Sequence, residues 1–165
     1  MGYLTNDSSP ADILADDLGN RLTDDILIPT VADRVLDFGL GVLADEADKI
    51  YICSDEPLTY AQATGALASS PDVSGFALGV KDFGSPVGAF GPVSSTVSPD
   101  APGRYVASTA ITNGSVSVTG LVTHWAAVDS ANLRLLAHGP VRTATNVTSG
   151  TLFSLPSFTL RMPGQ

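Results

Sequence analysis

From Ser115 to Gly139 the chain reads SVSVTGLVTHWAAVDSANLRLLAHG, two alternating apolar runs joined by a polar turn. A side chain returning to the same side at every second residue marks a strand half-buried in a sheet, so this stretch commits the chain to β-structure. Val116, Val118, Val122, Ala126 and Val128 fall on even positions, whereas Ser115, Ser117, Thr119, Thr123 and Asp129 fall on odd ones. Gly120 interrupts the run at a place suited to a bulge. Asp129-Ser130-Ala131-Asn132 carries turn chemistry, because Asp and Asn side chains bond nearby backbone, and Leu133 to Ala137 is the expected return strand. A four-residue loop sets Val128 against Leu133, Ala126 against Leu135 and His124 against Ala137, which predicts that this face is core. Trp125 with Leu136, and Ala127 with Arg134, then share a second, partly apolar face that needs a cover. The same register puts His124 and His138 on opposite faces.

Around this hairpin, Lys49 to Ser54 is the first clear strand, and Leu58 to Ala63 fits one helical turn. Residues 64 to 102 are rich in Gly, Ser, Ala and Pro, with Phe76, Leu78, Val80, Phe83, Val87, Phe90 and Val93 spaced through them, a composition for short strands and long loops. Arg104 to Ile111 is expected as a strand joined to the central one by a hairpin turn at Asn113-Gly114. Strands are also expected at Pro140 to Arg142, Asn146 to Thr148 and Thr151 to Met162, with Pro156 at an edge or a bulge. Seven or eight short strands with turn signals between them indicate an antiparallel β-sandwich or jelly-roll-like domain.

The first third differs. Residues 1–48 hold eleven acids against Arg21 and Arg34, a net charge of −9, while residues 49–165 carry six charges of each sign. Ser9-Pro10-Ala11-Asp12 suits a helix start, with Ser9 as N-cap, and Leu14, Leu18 and Leu22 follow at four-residue steps. Ile28-Pro29 ends that segment. Thr30 is the expected cap of a second helix over Val31 to Asp45, whose apolar stripe includes Val35 and Leu36, with Gly39 and Gly41 weakening it. The chain thus divides into a short helical N-terminal arm over 1–30 and a helix plus β-sandwich over 31–165. Leu14, Leu18, Leu22, Val35, Leu36, Trp125 and Leu136 are the candidate interface residues.

The chemistry is sparse. A Walker loop, a GxGxxG, an HExxH and a GxSxG are all missing, so catalysis is not expected. An acidic chain lacks the basic face that neutralises phosphates, so nucleic acid is not an expected partner. No apolar run approaches the ~18 residues of a membrane span, and no secretory signal is visible, so membrane partners are not expected either. Cys53, the single cysteine, sits in an apolar run and reads as a packed thiol. Two histidines fall short of a metal site, and Asp45, Glu46, Asp48, Asp55 and Glu56 gather acids without the DxDxDG spacing of a calcium loop. No cofactor is expected. Tyr51, Tyr60, Tyr105 and Trp125 offer the makings of an aromatic sugar platform, against the plainer role of packed rings.

Two stretches carry a resemblance. Asp48-Lys49-Ile50-Tyr51-Ile52-Cys53-Ser54 with Glu56-Pro57, Thr59-Tyr60 and Ala63 is the first. The second is Thr123-His124-Trp125-Ala126 with Val128-Asp129 and Arg134-Leu135-Leu136-Ala137. Together, from about Asp33 onward, they resemble a family of small virion structural proteins of tailed bacteriophages; Ala66 to Ala101 is expanded relative to it. The resemblance implies a non-enzymatic virion protein made in the host cytoplasm. The expected role is a capsid decoration protein that docks on the major capsid protein or another virion protein as an oligomer, with a trimer as one arrangement that covers Trp125 and Leu136. The alternative is a tail, neck or fibre-associated module that contacts host surface glycan.

Overall fold

Alternating apolar residues form strands here, but bulges decide which side of the sheet each one faces. The computed structural model describes residues 30–31, 38–65, 75–84, 88–96 and 103–163. In chain order the elements are β1 (Thr30–Val31), α1 (Gly41–Glu46), β2 (Lys49–Cys53), α2 (Tyr60–Thr64), β3 (Ala77–Asp82), β4 (Ser94–Thr96) and β5 (Gly103–Ala107), followed by β6 (Ile111–Val116), β7 (Gly120–Asp129), β8 (Arg134–Val147), β9 (Leu152–Leu155) and β10 (Thr159–Pro163). Seven strands form a curled antiparallel sheet in the order β1-β8-β7-β2-β3-β6-β9, and three form a second sheet, β10-β5-β4. The architecture is mainly β and sandwich-like. The arm over 1–29, with Leu14, Leu18 and Leu22, and the residues Val35 and Leu36 lie outside the described residues.

The central hairpin is present, with a different register from the one expected. Its loop is Ser130 to Leu133, so Asp129 faces Arg134 and Val128 faces Leu135; a bulge between Ala127 and Val128 then sets Ala127 against Ala137 and Ala126 against His138. The turn is held by the buried Asp129, whose carboxylate accepts from the Asn132 backbone at 3.0 Å and from the Asn132 amide at 2.7 Å. Asp48 reinforces it by accepting from the Ser130 backbone and hydroxyl.

The bulges invert the expected core. Ile50, Ile52, Trp125, Ala127 and Leu136 face the main core, a cluster of nineteen described residues. Cys53, Ala126 and Val128 face the other way, into a four-residue cluster with Ala63 of α2. Val122 belongs to the main core although it shares even parity with Ala126 and Val128, because the pairing shifts again between Val122 and His124. The cover for Trp125 and Leu136 comes from the chain itself: Phe90, Val106 and Leu160, carried on or beside the small sheet, with Val42 and Leu43 of α1. Trp125 is 6% exposed and Leu136 fully buried. A trimer is therefore not needed to shield them.

Three further expectations are corrected. Asn113-Gly114 is not a hairpin turn; it lies within β6, where the register against β9 shifts. Asn113 takes φ of +56°, and a Cβ at Gly114 would run into the Phe153 ring, so this pair makes a bulge that admits an aromatic side chain. Val116 and Gly120 do not share one strand: β6 ends at Val116, Ser117 and Val118 donate to the Leu78 carbonyl at 2.8 and 3.0 Å, and β7 starts at Gly120. The helix expected over Val31 to Asp45 is not continuous: Val31 is in a strand, Phe38 is helical, and the chain breaks at Gly39, with residues 32–37 outside the described residues. Thr30 and Val31 pair with β8 as a strand, and α1 begins at Gly41, after Gly39 has taken φ of +76°. A left-handed residue cannot sit inside a right-handed helix without breaking it.

The other elements match expectation more closely. Thr59 caps α2 by accepting from Gln62 at 3.2 Å, and Pro156 falls where the chain leaves the large sheet after β9 to enter the small one as β10. The β5–β6 connection makes the reverse passage. The two crossings are tied together, because Ser108 donates its backbone N–H to the Phe158 carbonyl at 2.8 Å and its hydroxyl accepts from the Phe158 N–H at 2.9 Å.

Gly114→Ala should destabilise the fold by about 1–3 kcal/mol, the usual range for overpacking. Urea denaturation of Gly114→Ala, Phe153→Leu and the double variant should show positive coupling, with the smaller side chain at 153 relieving most of the penalty at 114.

Candidate binding groove

A concave feature arises from an irregularity in β8. Pairing with β7 stops at His124 against Pro140 and resumes at Val122 against Thr145, so Val141 to Ala144 of β8 stand opposite Thr123 alone. Four residues cannot lie flat against one, and this part of β8 swings away from β7. The curl of the large sheet brings Ser154 and Leu155, at its far end, to the same place. Between them lies a groove of about 770 Å³, lined by Trp125, Gly139 to Thr143 and Thr145 on one side and by Ser154 to Leu160 on the other.

Its floor is apolar. The Phe158 ring packs on Trp125 with centroids 4.4 Å apart, and meets Phe90 edge-on at 6.0 Å. Val141, Leu155 and Phe158 are partly buried against the main core, while Arg142, Thr143, Ser154 and Ser157 are exposed. The floor lies beside β8, whose outer edge is paired, among the described residues, at Ala137 and His138.

The opposite face of the sheet holds the histidines. The bulge at Ala127/Val128 brings His124 and His138 onto one face, correcting the expectation that they diverge, since His138 faces Ala126 and His124 lies two residues along the same strand. His138 is buried, its Nδ1 makes no hydrogen bond among the described residues, and Glu56 Oε1 stands 3.7 Å from it. Burial, with a smaller contribution from the neighbouring His124, pushes the imidazole below its ordinary value of 6.5, and Glu56 only partly opposes this.

The remaining candidate groups are occupied structurally or separated. Burial pushes the Cys53 thiol up to about 12, and its sulfur lies 3.8 Å from the Ala63 carbonyl, as fits a packed thiol. Tyr51 and Tyr60 pack on the small cluster, Trp125 lies across the sheet from them, and Tyr105 belongs to the other sheet beneath Arg161, so the four rings do not converge. Asp45, Glu46 and Asp48 precede β2 whereas Asp55 and Glu56 follow it. Glu46 pairs with Arg134 at 3.7 Å and Asp48 holds the hairpin turn. Among the described residues no three His, Cys, Asp or Glu side chains are grouped to hold a metal. Sequence reasoning singled out Trp125 but missed Val141 and Phe158, because their meeting depends on a bulge and a sheet crossing; Pro156 was the one local sign of that crossing.

No family model, curated protein or solved structure matches the chain.

His138 gives a pH signature. Its folded value lies below its unfolded one, so the stability it contributes is fully present above about pH 6.5 and is lost as the solution becomes more acidic. Urea midpoints should fall between about pH 7 and pH 5, well above the range where carboxylates titrate, and His138→Leu should flatten that slope.

Proposed function

We propose that the chain is a non-enzymatic structural protein of a bacteriophage virion, a capsid decoration protein that docks as an oligomer on the major capsid protein or a neighbouring virion protein. The carrying observation is the division of the molecule. Residues 49–165 are electrically neutral, and the net charge of −9 lies in the 48 residues before β2, of which β1 and α1 pack on the β-body. Such a separation suits a body that presents surface and an acidic segment that engages a basic partner face.

The resemblance in the IYIC strand and the THWA hairpin supports this reading. So does the use of Cys53 in packing and of Asp48 and Asp129 in the hairpin turn. The tail or fibre alternative rests on exposed rings gathered for glycan, and the separation of Tyr51, Tyr60, Tyr105 and Trp125 gives it no support.

Quantitative mass spectrometry of purified particles tests the assignment. The chain is expected in fixed stoichiometric ratio to the major capsid protein; a copy number matching a tail component, or absence from the particle, would sink it. Deleting the acidic arm, residues 1–30, should abolish incorporation while leaving the far-ultraviolet circular dichroism of the body unchanged. Incorporation at the normal level would remove the acidic segment as the anchor.

A further inference from the structure

The bulge at Asn113-Gly114 brings together the parts of a reaction. β6 meets β9 with Ile111 against Leu155 and Gly114 against Phe153, so Thr112 and Asn113 stand opposite Ser154 alone. The extra residue of such a bulge has no partner of its own in the ladder. Asn113 is exposed and held in the left-handed region at φ of +56°. The described residues include two more asparagines, Asn132 and Asn146, and both are exposed as well. Exposure therefore does not choose among the three.

The next residue does choose. Leu133 and Val147 set a branched side chain beside the backbone nitrogen that follows Asn132 and Asn146. Gly114 has no side chain to shield its nitrogen, and its backbone turns with little steric resistance toward the Asn113 carboxamide. The Asn132 carboxamide is also held in place, donating to the Asp129 carboxylate at 2.7 Å. One group works against reaction at Asn113. Gly114 is buried, and the Phe153 ring occupies the space that a Cβ at Gly114 would take. The ring closes over this peptide from the core side, so the nitrogen gains freedom to move when a local opening lifts it.

From this arrangement we infer that Asn113 is a site of spontaneous deamidation whose rate is set by Phe153. The Gly114 backbone nitrogen gives its proton to solvent and bonds to Asn113 Cγ, and the side-chain nitrogen takes a proton from solvent and leaves as ammonia. Water then adds to either carbonyl of the cyclic imide and opens it to an aspartyl or an isoaspartyl residue, with no change of oxidation state. Both products add a negative charge to β6. The isoaspartyl product also lengthens the backbone by one carbon inside the bulge that seats Phe153. Ser154 and Leu155 of β9 form part of the groove wall, so ageing at Asn113 loosens that wall. The assignment does not rest on the virion reading.

The test incubates the folded full-length protein at mildly alkaline pH and follows each asparagine by peptide mapping with mass spectrometry. The amide-to-carboxyl mass change should appear at Asn113 before Asn132 or Asn146. Phe153→Leu should raise the Asn113 rate several-fold, while Ile50→Val, a conservative change elsewhere in the main core, should leave it near that of the unsubstituted protein. The deamidated form, separated from its parent by anion exchange, should unfold at a lower urea concentration. Earlier reaction at Asn132 or Asn146, or an intact Asn113 after the time in which the urea-unfolded chain reacts fully, would overturn the site. An unchanged rate in Phe153→Leu, or an equal rise in Ile50→Val, would overturn the role of the ring. A deamidated form as stable as its parent would overturn the loosening of β9.

Discussion

The reciprocal pair of hydrogen bonds between Ser108 and Phe158 holds the two sheets in their relation. Each residue sits where the chain leaves one sheet for the other, and each donates its backbone N–H to the other residue. A crossing leaves backbone groups without ladder partners, and burying them unpaired costs about 1–3 kcal/mol each. Pairing the two crossings with each other satisfies both at once. It also places the Phe158 ring on Trp125, so the polar clasp and the centre of the apolar core are the same few residues. The Phe90–Ser108 bridge and the Thr109 bonds to Ala89 and Gly88 extend the clasp to the segment before β4.

Much of the element list was legible because it depends on neighbours in sequence. The alternation in β7, the apolar run of β2, the helical turn after Leu58 and the break at Pro156 all act within a few residues. Which face is core was not legible, because period 2 says only that residues share a side, and a single extra residue exchanges the sides. Three shifts in pairing, at Val122/His124, Ala127/Val128 and Ile111/Gly114, undid the parity argument. Asn113-Gly114 misled for a related reason. Its backbone freedom is real, but the Phe153 ring, forty residues away, turns that freedom into a bulge rather than a hairpin. Val31 illustrates a third limit: a helical stripe competed with a free edge on β8, and the edge won.

The same bulges make the groove. Without the excursion of Val141 to Ala144, β8 would lie flat on β7 along its whole length, and no cleft would open between Trp125 and the β9–β10 connection. The histidine pair on the other face has a similar origin, since the bulge at Ala127 aligns two side chains that a regular ladder would part. Irregularities of pairing, rather than special residues, create both features. That explains why motif inspection found neither, and why the acidic segment, the neutral body and the apolar groove must be weighed together when a role is assigned.

β10 completes the small sheet by pairing with β5, and Leu160 closes the main core. It is also the last described element to be synthesised. During translation, β2, β7 and much of β8 can emerge and pair while Trp125 still lacks its Phe158 cover. A nascent chain therefore exposes its most hydrophobic face until Thr159 to Pro163 have cleared the ribosome. Sequential emergence thus delays closure of the core until nearly the whole described chain is available, which ties the timing of folding to the end of the β-domain rather than to its central hairpin.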